Sequence, residues 1–192
     1  SSGAVTTSSA QGTSTSVKGS PGLIQAGPGG SGIYMQVQSS NNYTATATDY
    51  VTNAFDKSAS TRFTSDNKAA ASYSANYATD GIVMQYEYPV VANGIGLVSG
   101  ATGNANYFPS SWTLLGSSDG TTYTTIKAYS GYGTNIPNPS NSPDTAYPDV
   151  YFTNTNAYKY YKFQINDVKG GLSTTNTYQF DELKLLYNPA PV

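Results

Sequence analysis

From residue 33 onward the chain is broken into short runs in which apolar and polar residues alternate, each bounded by Gly, Pro, Asn or Ser. No segment keeps a helical period for more than a turn or two. A period of two puts every other side chain on one face of a strand, so such a chain buries its apolar half in an all-β sandwich or barrel. The run "IVMQYEY" sets Ile82, Met84, Tyr86 and Tyr88 against Val83, Gln85 and Glu87. "YYKFQI" sets Tyr161, Phe163 and Ile165 against Tyr160, Lys162 and Gln164. In "SWTLLGSSDGTTYTTIKAY" the pair Asp119-Gly120 suits a tight turn, which predicts a hairpin between 112–116 and 123–129 with Trp112 and Leu114 on the core side. "YQFDELKLLY" reads as the last strand. Residues 130–149, rich in Pro, Gly and Asn, read as a long loop of the kind that often carries function.

Ahead of this pattern, residues 1–32 are almost wholly Ser, Thr, Gly, Ala and Pro, too small and polar to bury a core. They are expected to form an arm or linker that folds back on the domain or is held by a neighbouring subunit. Residues 33–188 are expected to form one sandwich, with 189–192 a short tail begun by Pro189. The start at Ser1 rather than Met, with no basic stretch leading into an apolar core, is the expectation for a fragment or processed product.

Charged residues are 10% of the chain, against about 25% in an ordinary soluble domain. The surface is therefore wetted by hydroxyls and amides. A net charge of -2 with no basic cluster leaves nothing to neutralise a run of phosphates, which argues against nucleic acid as a partner. No apolar run reaches the roughly 18 residues of a membrane helix, so no membrane insertion is expected. Cysteine is absent, and with it any disulfide. Histidine is absent too, which removes the commonest general base and the usual transition-metal ligands. Of the carboxylates, the two glutamates, Glu87 and Glu182, sit in strand patterns, and most aspartates sit in turn contexts such as "SSDG" and "ATDG". The chain is not expected to be an enzyme.

Four stretches resemble the discoidin, or coagulation factor 5/8 type C, family. "NAFDKSASTRFTSD" is similar to its Ala-x-Asp-Gly stretch followed by Ser-Thr-Arg-Trp and Ser. "FPSSWTLLGSSDGTTYTTI" is similar to its Pro-x-x-aromatic hairpin with Ser-x-Asp-Gly at the turn. "AYKYYKFQI" resembles its basic and aromatic strand, and "YQFDELKLLY" its closing strand with a Glu-Leu pair. The blocks fall in the family's order and span roughly residues 35–188. Lys57 stands where the family has Gly, and Phe63, one aromatic core plug for another, where it has Trp. The resemblance implies an all-β antiparallel jelly-roll sandwich of about eight main strands. It further implies ligand binding, commonly of glycans, through loops at one end, as in related bacterial carbohydrate-binding modules.

The opening block holds the only arginine, Arg62, among hydroxyls and carboxylates. Calcium takes six to eight oxygen ligands, and Asp56, the Ser58 carbonyl and the hydroxyl and carbonyl of Thr61 supply several of them. The resemblance adds Glu182, since related modules bring a closing-strand carboxylate to a structural ion. The other reading has Asp56 capping its own turn and Glu182 pairing with a lysine. Arg62 is expected to brace this loop rather than touch ligand.

Sugars are held by an aromatic face against the ring's C–H patch, with amides bonding the hydroxyls. That chemistry singles out Tyr43 beside Asn41 and Asn42, Tyr73 and Tyr77 around Asn76, and Tyr107 and Phe108 after Asn104 and Asn106. Tyr129 and Tyr132 at the long loop and Tyr178 after Asn176 complete the set. The plainer alternative is that these rings pack in the core or against a neighbouring subunit. Two functions follow. One is a non-catalytic carbohydrate-binding or adhesion module, extracellular or on a cell or virion surface. The other is a structural component of an assembly, such as a phage capsid, tail or fibre or a surface layer, that uses the sandwich and arm as a protein interface.

Overall fold

The structure, a computed structural model, describes residues 15–17, 33–39, 51–55, 61–64, 81–99, 105–131, 148–171 and 178–188. Among them the chain forms strands β1 (Thr15–Val17), β2 (Ile33–Ser39), β3 (Phe63–Thr64), β4 (Ile82–Val91), β5 (Gly94–Val98) and β6 (Pro109–Ser117). These are followed by β7 (Thr124–Ser130), β8 (Val150–Tyr151), β9 (Ala157–Val168), β10 (Gln179–Phe180) and β11 (Glu182–Leu186). The helical content of the described residues is two 3-10 turns, Val51–Phe55 and Ala105–Tyr107. A six-stranded sheet runs β1-β2-β4-β9-β6-β7, a three-stranded sheet runs β11-β5-β8, and β10 pairs with β3. Every one of these pairings is antiparallel. The fold is an all-β jelly-roll sandwich, as the alternating pattern and the resemblance lead one to expect.

The core lies between the layers. From the large sheet come Ile82, Met84, Trp112, Leu114, Tyr161, Phe163 and Ile165, all fully buried; the small sheet answers with Ile95, Leu97, Leu183 and Leu185. Trp112 packs on Phe163 with ring centroids 5.5 Å apart and stacks on Tyr129 at 5.4 Å. Phe63, the aromatic that replaces Trp, is buried between Tyr178 and Phe180, each centroid 5.7 Å away.

Two expectations are corrected. Tyr88 does not share the core face of Ile82 and Met84: it is 42% exposed. The register between β4 and β9 shifts between Gln85 and Val90, and such a bulge turns the side chains that follow it off their expected face before Val90 returns to the core. The last strand is not continuous either. It breaks at Asp181 into β10 and β11, which belong to different sheets, while the Asp181 amide still donates to the Val98 carbonyl at 2.9 Å. The hairpin forms where expected, with β6 ending at Ser117 and β7 beginning at Thr124.

That link is held from within. Asp119 Oδ1 accepts from the Ser117 hydroxyl at 2.9 Å and from the Thr121 and Thr122 amides at 2.8 Å each. Gly120 takes a φ of 78°, a backbone region that favours glycine. These charge-assisted bonds hold the Asp119 carboxyl well below the usual carboxylate range, the Thr122 and Thr121 amides contributing most.

Strand direction gives the sandwich two unlike ends. At one, Ser39 faces Ile82, Val168 faces Pro109, Ser130 faces Ser111 and Val98 faces Glu182. At the other lie the short links 92–93, 118–123 and 152–156. The Tyr161 hydroxyl clasps the first of these, donating to the Val90 carbonyl at 2.6 Å and accepting from the Ala92 amide at 3.0 Å. Asn93 then joins three segments. Its amide donates to Leu186, its carbonyl accepts from Phe152, and its side chain exchanges hydrogen bonds with the Asn188 backbone at 2.7 and 2.8 Å.

Candidate functional site

The end of the sandwich away from the short links is where the chain segments with the expected ligand contacts leave and enter the strands. Tyr43 follows the end of β2, Tyr73 and Tyr77 precede β4, and Asn104, Tyr107 and Phe108 lie between β5 and β6. Tyr132 follows β7, and Tyr178 precedes β10. Five sequence stretches far apart in the chain are thus rooted on one rim. Tyr43, Tyr73, Tyr77, Asn104 and Tyr132 themselves lie outside the described residues.

Of the described candidates, Phe108 and Tyr178 are core residues, 2% and 0% exposed. For these two the packing alternative holds: Tyr178 is locked against Phe63, and a ring without an exposed face cannot receive a sugar. Tyr107 differs. It is half-buried at the end of a 3-10 turn beside the exposed Asn106. Two backbone bonds of 2.9 Å, from Lys169 to the Phe108 carbonyl and from Gly170 to the Asn106 carbonyl, stitch this turn to the segment that leads towards Tyr178. Tyr129 is half-buried on the Trp112 ring, with Lys127 Nζ 5.9 Å from its centroid. Lys169 was not singled out from the sequence, because a lone lysine carries no pattern. Only the β9 exit brings it to the turn that holds Asn106 and Tyr107.

The opening block is described at its two ends, 51–55 and 61–64. Asp56 and Ser58 lie outside the described residues, as does Lys57. The chain on either side of them is placed by the closing strands. The 3-10 turn Val51–Phe55 packs against β11, and β3 pairs with β10 through Phe63 opposite Phe180 and Thr64 opposite Gln179. Thr61 and Glu182 each lie two residues beyond the Phe63–Phe180 pair, and so at the same end. Thr61 is half-buried and Glu182 is 7% exposed. Asn53 Nδ2 donates to the Arg62 carbonyl at 2.9 Å, which ties the two sides of this loop together. A hydroxyl just ahead of β3 and a nearly buried carboxylate at the start of β11 are hard oxygen donors that fit part of a calcium shell. Among the described residues there is no group of three acidic side chains that would hold an ion without the 56–60 segment.

No protein-family model matches the chain, and no curated protein does. Solved structures do. The CBM32-3 module of a family 31 glycoside hydrolase from Clostridium perfringens superposes with a TM-score of 0.58 at 16% identity, covering 79% of this chain and 91% of that one. The family 32 module of C. perfringens NanJ, solved in complex with galactose, gives 0.55 at 13% identity over 80% and 93% of the two chains. A third C. perfringens module, solved with GalNAc-β-1,3-galactose, gives 0.51 at 16% identity over 80% and 95%. The likeness establishes a shared discoidin-like fold over about four-fifths of the chain.

Proposed function

We propose that this chain is a non-catalytic carbohydrate-binding module that grips glycans at the rim opposite the short links. The observation that carries the reading is that the strand ends flanking Tyr43, Tyr73 and Tyr77, Tyr107 and Tyr132 lie at one end of a sandwich whose fold it shares with modules solved holding galactose, GalNAc or a GalNAc-galactose disaccharide. Tyrosine offers a flat apolar body and a polar tip, and asparagine offers a donor and an acceptor to adjacent sugar hydroxyls. The absence of histidine and cysteine from the whole chain favours recognition over chemistry. Such a module works outside the cell or on a cell or virion surface, where the polar arm would tether it.

Calcium belongs to this proposal as a structural ion held by Asp56, Ser58, Thr61 and Glu182. Bound there, it would tie the first long loop to the closing strand and leave the glycan to the neighbouring loops. The test is a glycan array probed with and without EDTA, using the intact chain and its Tyr107→Ala and Tyr132→Ala variants. Binding to galactose-type glycans that falls at least tenfold in either variant is the expected result. Silence across the array with calcium present would overturn the reading.

A further inference from the structure

The opposite end of the sandwich carries a second concave surface, built from residues that no part of the foregoing reading uses. One cleft of about 290 Å³ lies between β7 and the 152–156 link, and a second of about 220 Å³ continues over the hairpin end. They share Thr124 and Tyr158 as a common wall. Separately both fall below the roughly 300 Å³ at which small-molecule sites begin, so an occupant of both would be an extended molecule rather than a compact one.

The lining is chemically one-sided. Thr124, Thr125, Thr153 and Thr155 present exposed side chains whose hydroxyls make no hydrogen bond within the described residues, and the side chain of Asn156 makes none either. By contrast, Asn154 spends both ends of its amide on the backbone of Ala92 and Asn156, which fixes the shape of the link from below. Asp119 is the sole charged residue on either wall, and no Lys or Arg lines them. A cleft of this kind has nothing to neutralise a phosphate, sulfate or uronate, and one carboxylate to repel it.

The shared wall is an aromatic ring held in place. Tyr158 lies flat on Gly116: a methyl group built on that glycine would meet three atoms of the ring, two of them at 2.7 Å. The Tyr161 ring meets Tyr158 edge-on at 5.8 Å. Glycine at 116 thus admits the ring, and the ring is fixed in orientation before any ligand arrives. Unbonded hydroxyls and an amide around an immobilised, half-buried aromatic ring match an uncharged polyhydroxyl chain, whose C–H faces stack while its hydroxyls replace water.

From these observations we propose a second saccharide-binding surface at the short-link end, selective for neutral oligosaccharides, separate from the rim that carries Tyr107. It stands independently of the function proposed above. The test is amide chemical-shift mapping of the intact chain with galactose, GalNAc-β-1,3-galactose, cellotetraose and trigalacturonate, each to about 20 mM, above the ~1 mM affinity of a weak contact. The expected result is saturable shifts at Thr124, Thr155 and Asn156 with at least one neutral probe. Thr124→Ala/Thr155→Ala should weaken that binding about tenfold through the loss of two hydroxyls, and Thr124→Ser/Thr155→Ser should retain it. Shifts confined to Asn106, Tyr107 and Lys169 would overturn this surface and leave the rim reading standing; shifts confined to the cleft would do the reverse. No cleft shift with any neutral probe, or trigalacturonate binding there as tightly, would also overturn it.

Discussion

Tyr161 shows how one side chain here serves two layers. Its ring fills the core, edge-on to Tyr86 at 6.2 Å, and its hydroxyl satisfies a buried carbonyl and a buried amide at the β4–β5 link. Burial pushes both phenols well above their ordinary range, so neither ionises while the fold persists. Tyr161→Phe removes no packing but leaves the Val90 carbonyl and the Ala92 amide without that partner, at a cost of about 1–3 kcal/mol. Urea unfolding followed by fluorescence would read this as a lowered midpoint with an unchanged slope; an unchanged midpoint would remove the clasp from the account. Asp119 works differently, since it is exposed and its bonds are local. Its folded pKa is depressed, so whatever it contributes is present above the unfolded carboxylate value of about 3.9 and is lost only as pH falls through the lower folded value. The Thr121 and Thr122 amide resonances should therefore hold their positions through pH 4, where ordinary aspartates titrate, and move only below it. Movement centred near pH 4 would contradict the turn geometry.

Among the elements, the β6–β7 hairpin was the most legible in the sequence, because Trp112 and Leu114 alternate on the buried face and Ser117, Asp119 and Gly120 carry the chemistry of the turn within four residues. Strand β4 was legible only for its first half. Pro89 in "QYEYPV", which has no N–H to give the ladder, is the one local mark of the shift between Gln85 and Val90, where β9 offers a different residue count across the sheet. The closing strand was found as an apolar run, yet its break at Asp181 follows from two sheets competing for it, β3 on one side and β5 on the other. Gly116 marks a further element-scale constraint, the ring of Tyr158 on its face. Gly116→Ala must push that ring aside, and overpacking of this kind costs about 1–3 kcal/mol. A thermal melt of Gly116→Ala matching the parent would show that the ring moves freely.

On the scale of the whole molecule, the two ends of the sandwich differ: short links close one, and longer segments leave the strands at the other. The proposed calcium ion would act at this scale, joining residues some 120 positions apart in sequence, a long-range link that stabilises by mass action. At calcium a hundredfold above its Kd the gain is about 2.7 kcal/mol, or a rise in Tm of about 5–10 °C for a chain of this size. EDTA should abolish the rise, and so should Glu182→Gln; a melt indifferent to both would remove the ion from the proposal. The sequence by itself determined the all-β architecture, since a period of two in short runs buries its apolar half only by facing strands across a core, and it determined which rings were candidates for recognition. Only the tertiary structure decided which of those rings remain available. Phe108 and Tyr178 carry the same local signals as Tyr107, yet two were drawn into the core and one was left on the rim. The reason is that burial depends on what the opposite layer presents, and that layer is supplied by residues far along the chain. The cleft of unbonded threonines at the other end was invisible for the same reason: "TNTN" and "TTYTTI" become one surface only when β6 pairs with both β7 and β9.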